Sequence, residues 1–466
     1  MMRYFLVFYI ILYALQTQGQ GGVSDDLRAR EDSILKVREE RFRRFDEMQK
    51  RRELYRRMLS ENPALAMDSV VKARKAENLN EGLKRLAQLE QNTRPDTLKE
   101  IDLSYAGLDE IPDFVFEAKS LRILVLDYNH IRKLPKRLAE LDSLKRVYWR
   151  YNELEDFRWI RVQNIGGIEK LDMSYNKLTR LPLGVKKIKG LKELVLEENL
   201  FEEIPVNRLA KASWIETVSF NECPLLELAR NNYGKLDFLL VFKANKCGLA
   251  QIDPSIYDMS GLVELQLQEN NISSVPSGIS TMENLSKLSF YKNNIHDLPS
   301  DFFDIPNLIV VDFYFNDLEV ISEDIGSLDK LEILYLSNNR IYSLPESMGK
   351  LTNLEELYLH HNRLSTLPST IESFKDLRVF RVNDNYLIDF PDALLNFSHL
   401  EDIDVSNNQI TSMPVGLEHL KKLRLFTFEN NPVDLANPEN RDLVAELYRM
   451  SEAGTICVPR VSISSQ

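Results

Sequence analysis

The chain has 466 residues, of which 44% are hydrophobic and 28% are charged, and its formal net charge is −12. This composition excludes a wholly disordered chain, because there is ample apolar material to build a core. The acidic balance argues against a nucleic-acid partner, since phosphates attract clustered lysine and arginine. A chain of this length ordinarily divides into several domains unless it is built from repeats.

The N-terminus has the pattern of a cleavable export signal. Arg3 precedes an apolar run from Tyr4 to Leu15, and small and polar residues follow as far as Gly19. This run is shorter than the roughly 20 apolar residues that span a bilayer, so stable membrane insertion is not expected. We therefore expect residues 1–19 to be removed and the protein to be periplasmic, exposed on the cell surface or secreted. The alternative is a cytoplasmic protein that keeps this segment.

Residues 20–92 read as a charged, helical N-terminal region. Apolar residues from Leu27 to Leu59 recur at helical spacing, and Pro63 separates them from a second helical segment. We expect the second segment to cap the repeat region that begins at residue 93, because the end of an array of repeats exposes an apolar face. The arginine-rich face of the first segment, residues 41–57, fits a solvated surface, the seam of a helical dimer, or contact with an anionic membrane or partner.

Residues 93–436 contain a repeat. Its unit is clearest between Leu354 and Ile371, where the sequence reads L-x-x-L-x-L-x-x-N-x-L-x-x-L-P-x-x-I. Fifteen units share this register, and most are 23 residues long. They begin at Leu98, Leu121, Leu144, Ile168, Leu191, Ile215, Leu239, Leu262, Leu285, Leu308, Leu331, Leu354, Leu377, Leu400 and Leu423. Self-similarity at such a period indicates a solenoid.

Each position of the unit has a physical reading. Alternation at positions four to six predicts a short strand with one buried face, and stacking of the units predicts a parallel sheet. Asn at position nine has an amide that can bond to backbone groups of the turn. Cys223 and Cys247 occupy position nine of their units, which indicates a buried position and not a reactive thiol. Cys457 lies outside the frame.

These motifs resemble the leucine-rich-repeat family, in particular its 23-residue type with a Leu-Pro pair, found in Ras-binding scaffolds and in many bacterial repeat proteins. The resemblance covers residues 98–436. It implies an α/β solenoid, a curved horseshoe with a parallel sheet on its concave side. The helical N-terminal region and a C-terminal cap would flank it.

Some units depart from the pattern. The third lacks the Leu-Pro pair, and Ala229, Asp253 and Ser322 replace proline in the sixth, seventh and tenth units. Either the convex side has local helices or longer turns at these units, or the stretch 152–260 changes curvature or presents a binding edge. Residues 437–466 are expected to form a C-terminal cap, with a helix from Glu439 to Met450 and a frayed tail that includes Cys457.

The family geometry implies that positions two, three, five, seven and eight face the concave side, where aromatic residues and arginines are the candidates for partner binding. Position eight is tyrosine in four successive units, at Tyr105, Tyr128, Tyr151 and Tyr175. The candidates are Tyr128, Tyr148, Arg150, Tyr151, Tyr175, Tyr291, Tyr314, Phe315, Tyr335, Tyr358, His360, His361 and Arg381. A competing interpretation is that tyrosine is simply a good strand residue.

The sequence has no phosphate-binding loop, metal-ligand cluster or nucleophile motif, and His360 and His361 lack a third ligand nearby. We therefore expect no enzymatic activity, no cofactor and no metal. The leading hypothesis is a scaffold that binds an unidentified protein on its concave surface. The alternatives are an extracellular protein that adheres to carbohydrate or to cell surfaces, and an intracellular scaffold of the Ras-binding type.

Overall fold

The computed structural model of the protein describes residues 63–133, 135–155, 167–225, 228, 231–437 and 440–458. The chain divides into two units, residues 1–78 and 79–466. Within the first unit the described residues are helical. The expected export signal and the arginine-rich segment lie outside the described residues, as does most of the irregular part of the third repeat.

Sixteen strands among the described residues form one parallel sheet in which each strand pairs with its neighbours in the chain. The strands are β1 (Glu100–Asp102), β2 (Ile123–Val125), β3 (Arg146–Tyr148), β4 (Lys170–Asp172), β5 (Glu193–Val195), β6 (Thr217–Ser219), β7 (Val241–Lys243), β8 (Glu264–Gln266), β9 (Lys287–Ser289), β10 (Val310–Asp312), β11 (Ile333–Tyr335), β12 (Glu356–Tyr358), β13 (Val379–Arg381), β14 (Asp402–Asp404), β15 (Leu425–Thr427) and β16 (Ile456–Val458). The predicted parallel sheet is confirmed.

The register of the sheet follows the repeat. Leu334 pairs with Leu357, and Leu357 with Phe380, one unit apart each time. The strands occupy positions three to five of each unit, one residue earlier than the alternation predicts. Position four is buried and positions three and five are mostly half-exposed, so the sheet packs one face on the core and presents the other to solvent.

The return side of the units consists mainly of short 3₁₀ helices. Within the described ranges these are Pro95–Thr97, Asp113–Glu117, Lys136–Glu140, Val185–Lys187, Tyr233–Leu236, Pro254–Asp258, Ile279–Thr281, Ser300–Asp304, Glu323–Ser327, Glu346–Lys350, Ser369–Ser373, Asp392–Asn396 and Leu417–His419. Proline stands at the N-cap of many of them. Two units without this proline have Asp253 or Ser322 at the N-cap, and these side chains accept from the backbone N–H of Ser255 and Asp324. At these two units the pattern breaks are helix caps.

Three α-helices are described, α1 (Pro63–Glu90), α2 (Val206–Leu209) and α3 (Arg441–Glu452). Within the compact part formed by residues 79–466, residues 79–90 of α1 lie against the first repeat. A Cβ on Gly82 would come within 2.2 Å of the Tyr105 carbonyl oxygen, so only glycine allows this approach. Arg85 donates to the Ser104 carbonyl at 2.6 Å.

The C-terminal end differs from the prediction. The expected frayed tail instead begins with β16, in which Cys457 is buried and pairs with Phe426 of β15. The α3 side chain Glu446 is fully buried and accepts from the backbone N–H groups of Gly416 and Glu418. A strand outside the repeat frame and a buried carboxylate therefore attach this end to the last repeat.

The asparagines of position nine form a ladder through the core. Asn129 accepts from the Leu108 N–H at 3.0 Å and donates to the carbonyls of Leu103 and Leu126, both at 2.9 Å. Cys247 donates to the Phe220 carbonyl at 3.2 Å in the same place. Each ladder residue thus satisfies backbone groups that the turn would otherwise bury without partners.

Candidate functional site

The candidate residues lie in rows along the concave sheet, a row being the residues at one position of successive units. Rows three and five flank the buried centre of each strand, and rows seven and eight follow where the strand ends. Each of the thirteen predicted partner-binding residues is half-buried or exposed. The structure therefore leaves all of them accessible on this surface.

Row eight has a left-handed backbone in every unit. Its fifteen residues have φ between 50° and 58°. Asn, Asp and His tolerate this conformation, whereas a bulky aromatic residue there is an outlier. Strand propensity therefore does not explain the tyrosines of row eight or Phe315, although it remains an adequate account of Tyr148, Tyr335 and Tyr358, which lie within strands.

The first four residues of row eight form a stack that we call the tyrosine ladder, namely Tyr105, Tyr128, Tyr151 and Tyr175. Successive ring centroids are 4.2, 4.1 and 4.0 Å apart, and the planes differ by 13° or less. Burial and hydrogen bonds to the neighbouring phenols raise the pKa of Tyr151. The inner rings have both faces covered, so the ladder presents ring edges and hydroxyl groups.

Arg150 lies beside the ladder but is already paired. Its guanidinium donates to Asp127 Oδ2 at 2.5 and 3.0 Å and lies 5.5 Å from the centroid of the Tyr148 ring. The Asp127 side chain is only 5% exposed. The hydrogen bond to Asp127 raises the pKa of Arg150. This arginine holds neighbouring units together, and its charge is largely neutralised by Asp127.

The middle of row eight is less acidic than its glutamates suggest. Lys246 lies 3.6 Å from Glu222 and 3.7 Å from Glu269, and Lys292 lies 2.9 Å from Glu269. Burial and the adjacent Glu222 carboxylate raise the pKa of Glu198. The centre of the concave surface is therefore a row of alternating ion pairs between the two aromatic regions.

The second aromatic region is a single connected set that we call the aromatic cluster. It consists of Tyr291, Tyr314, Phe315, Tyr335, Tyr358, His360 and His361. Tyr314 stacks on Tyr291 at 5.5 Å, contacts Phe315 at 4.5 Å, and reaches His360 at 5.6 Å across the small side chain of Ser337. Tyr335 stacks on Tyr358 at 4.7 Å. The structure thus brings all seven residues together.

Hydrogen bonds fix the orientation of the cluster. Tyr358 donates to Glu356 at 2.8 Å, and His361 pairs with Asp384 at 2.9 Å. The Ser337 hydroxyl lies 2.8 Å from Nδ1 of His360. Burial, with the nearby His361 and Arg381, lowers the pKa of His360 to about 4, so this imidazole is neutral at physiological pH.

Arg381 lies at the end of the cluster. Its guanidinium is 2.5 Å from Asp402 Oδ2, yet its Nε atom and the Oδ1 atom of Asp402 are buried without a hydrogen-bond partner. Burial raises the pKa of Asp402 in spite of this pairing. A donor and an acceptor therefore remain unsatisfied beside the cluster.

The carboxylates around the cluster were missed by the sequence reasoning, which selected aromatic residues and arginines. Asp312, Glu356 and Asp404 lie in rows three and five of β10, β12 and β14. Their positions in the repeat frame are the signal that could have found them. Two exposed tyrosines, Tyr342 and Tyr386, lie at positions twelve and ten, outside the concave rows.

The cysteines are unsuited to nucleophilic chemistry. All three are buried and free, and burial raises the pKa of Cys223 and Cys247 to about 12 and that of Cys457 to about 11. Across the described residues there is no group of three or more potential metal-binding side chains.

Comparisons with known proteins agree with this geometry. A family model described as a leucine-rich repeat region matches residues 303–458. Fibromodulin of Oryctolagus cuniculus is 30% identical over 158 residues, which cover 34% of this chain and 90% of that protein. The chain spans less than half of several other curated relatives, for example 42% of osteomodulin from Bos taurus and 27% of an anion channel subunit from Homo sapiens.

Two solved structures have a similar fold. A leucine-rich-repeat protein of Leptospira interrogans has a TM-score of 0.61 at 22% identity, and the match covers 80% of this chain and 98% of that one. The Drosophila Toll–Spatzle complex has a TM-score of 0.58 at 20% identity, with 70% and 49% covered.

Proposed function

We propose that this chain, which belongs to the leucine-rich-repeat family, is a non-enzymatic scaffold that binds a protein partner on its concave surface. The aromatic cluster is the main contact. The observation that carries this proposal is the continuity of its seven side chains across strands β9 to β12, held by hydrogen bonds yet open to solvent. Rigid aromatic side chains bury large areas at a low cost in entropy and dominate binding energies in protein interfaces.

The form of the surface supports a macromolecular ligand. Neighbouring strands of a sheet are about 4.8 Å apart, so the concave surface offers an arc of roughly 70 Å. Toll, a solenoid of similar fold, is seen in complex with Spatzle. A surface of this length is sufficient for a folded domain or an extended segment.

The tyrosine ladder has a different part in the proposal. A sugar ring stacks on a free aromatic face, but each inner ring of the ladder is covered on both sides at 4.0 to 4.2 Å. This geometry disfavours the alternative in which the tyrosine ladder binds carbohydrate. We assign the ladder to the rigidity of the first units, with its hydroxyl edge as a secondary contact.

An exported protein remains our proposal for localisation, and the intracellular Ras-type scaffold is its alternative. Among the described residues, no helix has the length and apolar character needed to cross a bilayer. Mass spectrometry of the mature N-terminus separates the two hypotheses. A chain that begins near residue 20 supports export, and one that retains Met1 supports the intracellular alternative.

Affinity capture with the full-length chain tests the binding site. The bait carries Tyr314→Ala together with Tyr358→Ala, and the control is Tyr342→Ala, which removes an equally large but 53% exposed tyrosine outside the concave rows. We expect wild type and control to retain the same partner and the double variant to lose it. Unchanged capture by a correctly folded double variant would contradict the proposal, and binding of all baits to a glycan array would favour adhesion.

A further inference from the structure

The concave surface around the aromatic cluster is strongly acidic. In rows two to eight of the units containing β10 to β14 there are eight carboxylates and two arginines. The carboxylates are Asp312, Glu332, Glu355, Glu356, Asp384, Glu401, Asp402 and Asp404.

The two arginines within these rows are already engaged. Arg378 lies 3.3 Å from both Glu355 and Glu401, and Arg381 lies 2.5 Å from Asp402. Lys287, on the preceding strand β9, is the nearest additional cation along row three. Through this described stretch, no cation lies within ion-pairing distance of Asp312, Glu332, Glu356 or Asp404. Among the described residues, Asp312, Glu332 and Glu356 thus carry negative charge without an ion-pair partner near the aromatic cluster, whereas the charge of Asp404 is partly compensated by Arg381, its register neighbour on β13.

Three of these carboxylates are held in place by neutral donors. Asp312 accepts from the Ser289 hydroxyl at 2.7 Å and the Tyr314 N–H at 3.0 Å, and Asp404 accepts from Ser406. Glu356 accepts from the Tyr358 hydroxyl. Burial raises the pKa of Asp312 and Asp404 above the ordinary carboxyl value, because their charge is partly removed from water. A cation brought by a ligand would compensate this desolvation.

The spacing of the three carboxylates restricts the ligand. Asp312 and Asp404 lie in row five and Glu356 in row three, on alternate strands, so successive positions are about 9.6 Å apart along the arc. The Glu356 carboxylate extends towards row five, where it accepts from the Tyr358 hydroxyl at 2.8 Å. An extended polyproline II segment has three residues per turn and a rise of about 3.1 Å, which places every third side chain on one face at about 9.3 Å. Aromatic surfaces are a recurrent binding site for such segments.

We infer that the aromatic cluster binds an extended segment of a protein partner that carries arginine or lysine at every third position. The cations lie against Asp312, Glu356 and Asp404, and the residues between them pack on Tyr335, Tyr358 and Tyr314. Arginine suits both contacts because its planar group pairs with carboxylates and stacks on aromatic rings. This inference rests on the proposed function and specifies the partner for the same site.

Peptide binding to the full-length chain, measured by fluorescence anisotropy at low and high salt, tests the inference. The probe is a peptide of four Arg-Pro-Pro repeats. One control peptide has citrulline, a neutral isostere, in place of each arginine, and a second has the same composition with its arginines adjacent. We expect the probe to bind at least tenfold more tightly than either control and to weaken as salt rises.

Protein variants locate the site. Asp312→Asn, Glu356→Gln and Asp404→Asn are each expected to weaken probe binding about fivefold or more. The control Glu372→Gln removes an exposed carboxylate of a 3₁₀ helix outside the concave rows and should change nothing. Circular dichroism checks that each variant is folded, and Glu356→Gln, whose carboxylate accepts only from a tyrosine hydroxyl, guards against misfolding of the others.

The possible outcomes are distinct. Equal binding of the citrulline peptide, or equal effects of Glu372→Gln and the three site variants, would overturn the inference. Binding of spermine as tight as that of the probe would overturn the assignment to a protein segment. If the probe fails while Tyr314→Ala with Tyr358→Ala still abolishes partner capture, only this inference fails. If capture is indifferent to those tyrosines, the proposed function fails as well.

Discussion

Replacement of Tyr151 by asparagine compares two contributions to the stability of the tyrosine ladder, namely the cost of its left-handed backbone and the stabilisation from ring stacking. Tyr151 has φ 54° and stacks on Tyr128 and Tyr175. Asparagine tolerates the left-handed backbone better, which relieves about 0.5 to 1 kcal/mol of the cost there. It also removes two stacked pairs that contribute about 0.5 to 1.5 kcal/mol each. We therefore expect Tyr151→Asn to lower the free energy of unfolding by about 1 kcal/mol, near the middle of the range of about 0 to 2.5 kcal/mol that these contributions leave.

Lys246 supplies the matched control, because it has the same φ of 54° in the same row and no stacked neighbours. Lys246→Asn changes the backbone contribution and two ion pairs at 3.6 and 3.7 Å, which are exposed and weak. Urea denaturation followed by circular dichroism measures both variants, and hydrogen exchange at Tyr128 and Tyr175 reports local loosening. If Tyr151→Asn is as stable as Lys246→Asn or more so, stacking contributes nothing and the structural role assigned to the ladder is wrong.

Three further changes test other features. Glu446→Gln should destabilise the C-terminal end by about 2 kcal/mol, because the buried carboxylate accepts from the N–H groups of Gly416 and Glu418. A melting temperature unchanged within 1 °C would contradict this. Since the folded pKa of His360, about 4, lies below its ordinary value of 6.5, its contribution of about 3 kcal/mol is present above pH 6.5 and lost as pH falls towards 4. Urea titrations at pH 7 and 4.5 should show this slope in the wild type and a smaller one in His360→Asn. Cys247 should resist iodoacetamide until urea unfolds the chain, and mass spectrometry showing rapid native alkylation would refute its burial.

The repeat frame was sufficient to predict the parallel sheet, because one buried apolar residue at position four of each unit fixes the register of every strand. The frame also predicts the burial of Cys223 and Cys247, since both occupy row nine, where the asparagines from Asn129 to Asn408 are buried. The strands begin one residue earlier than predicted, since the alternation marks which side chains are buried and not where ladder hydrogen bonds start. β16 was missed because its residues belong to no unit.

The candidate site was predicted by residue type but not by conformation. The frame places Tyr335 in a strand and Tyr128 after one, but nothing in the sequence shows that the backbone of Tyr128 is left-handed. The ion pairs could not be predicted from the sequence either, because they depend on distances between side chains of different repeats. The sequence named Arg150 as a partner-binding candidate without showing that Asp127 binds it, and it did not select Asp312, for which the described residues give no ion pair.

The asparagine ladder gives the solenoid a direction. Each amide reaches backwards, so Asn385 satisfies the N–H of Leu364 and the carbonyl of Leu359 in the unit before it. Loss of a unit from either end breaks the sheet hydrogen bonds to its neighbour. Loss from the C-terminal end also removes the amide that satisfies main-chain groups of the preceding turn, whereas loss from the N-terminal end frees the amide of the next unit, which can rotate into water. The ladder therefore opposes unfolding from the C-terminus more than unfolding from the N-terminus. Deleting one unit from each end should lower the free energy of unfolding by different amounts.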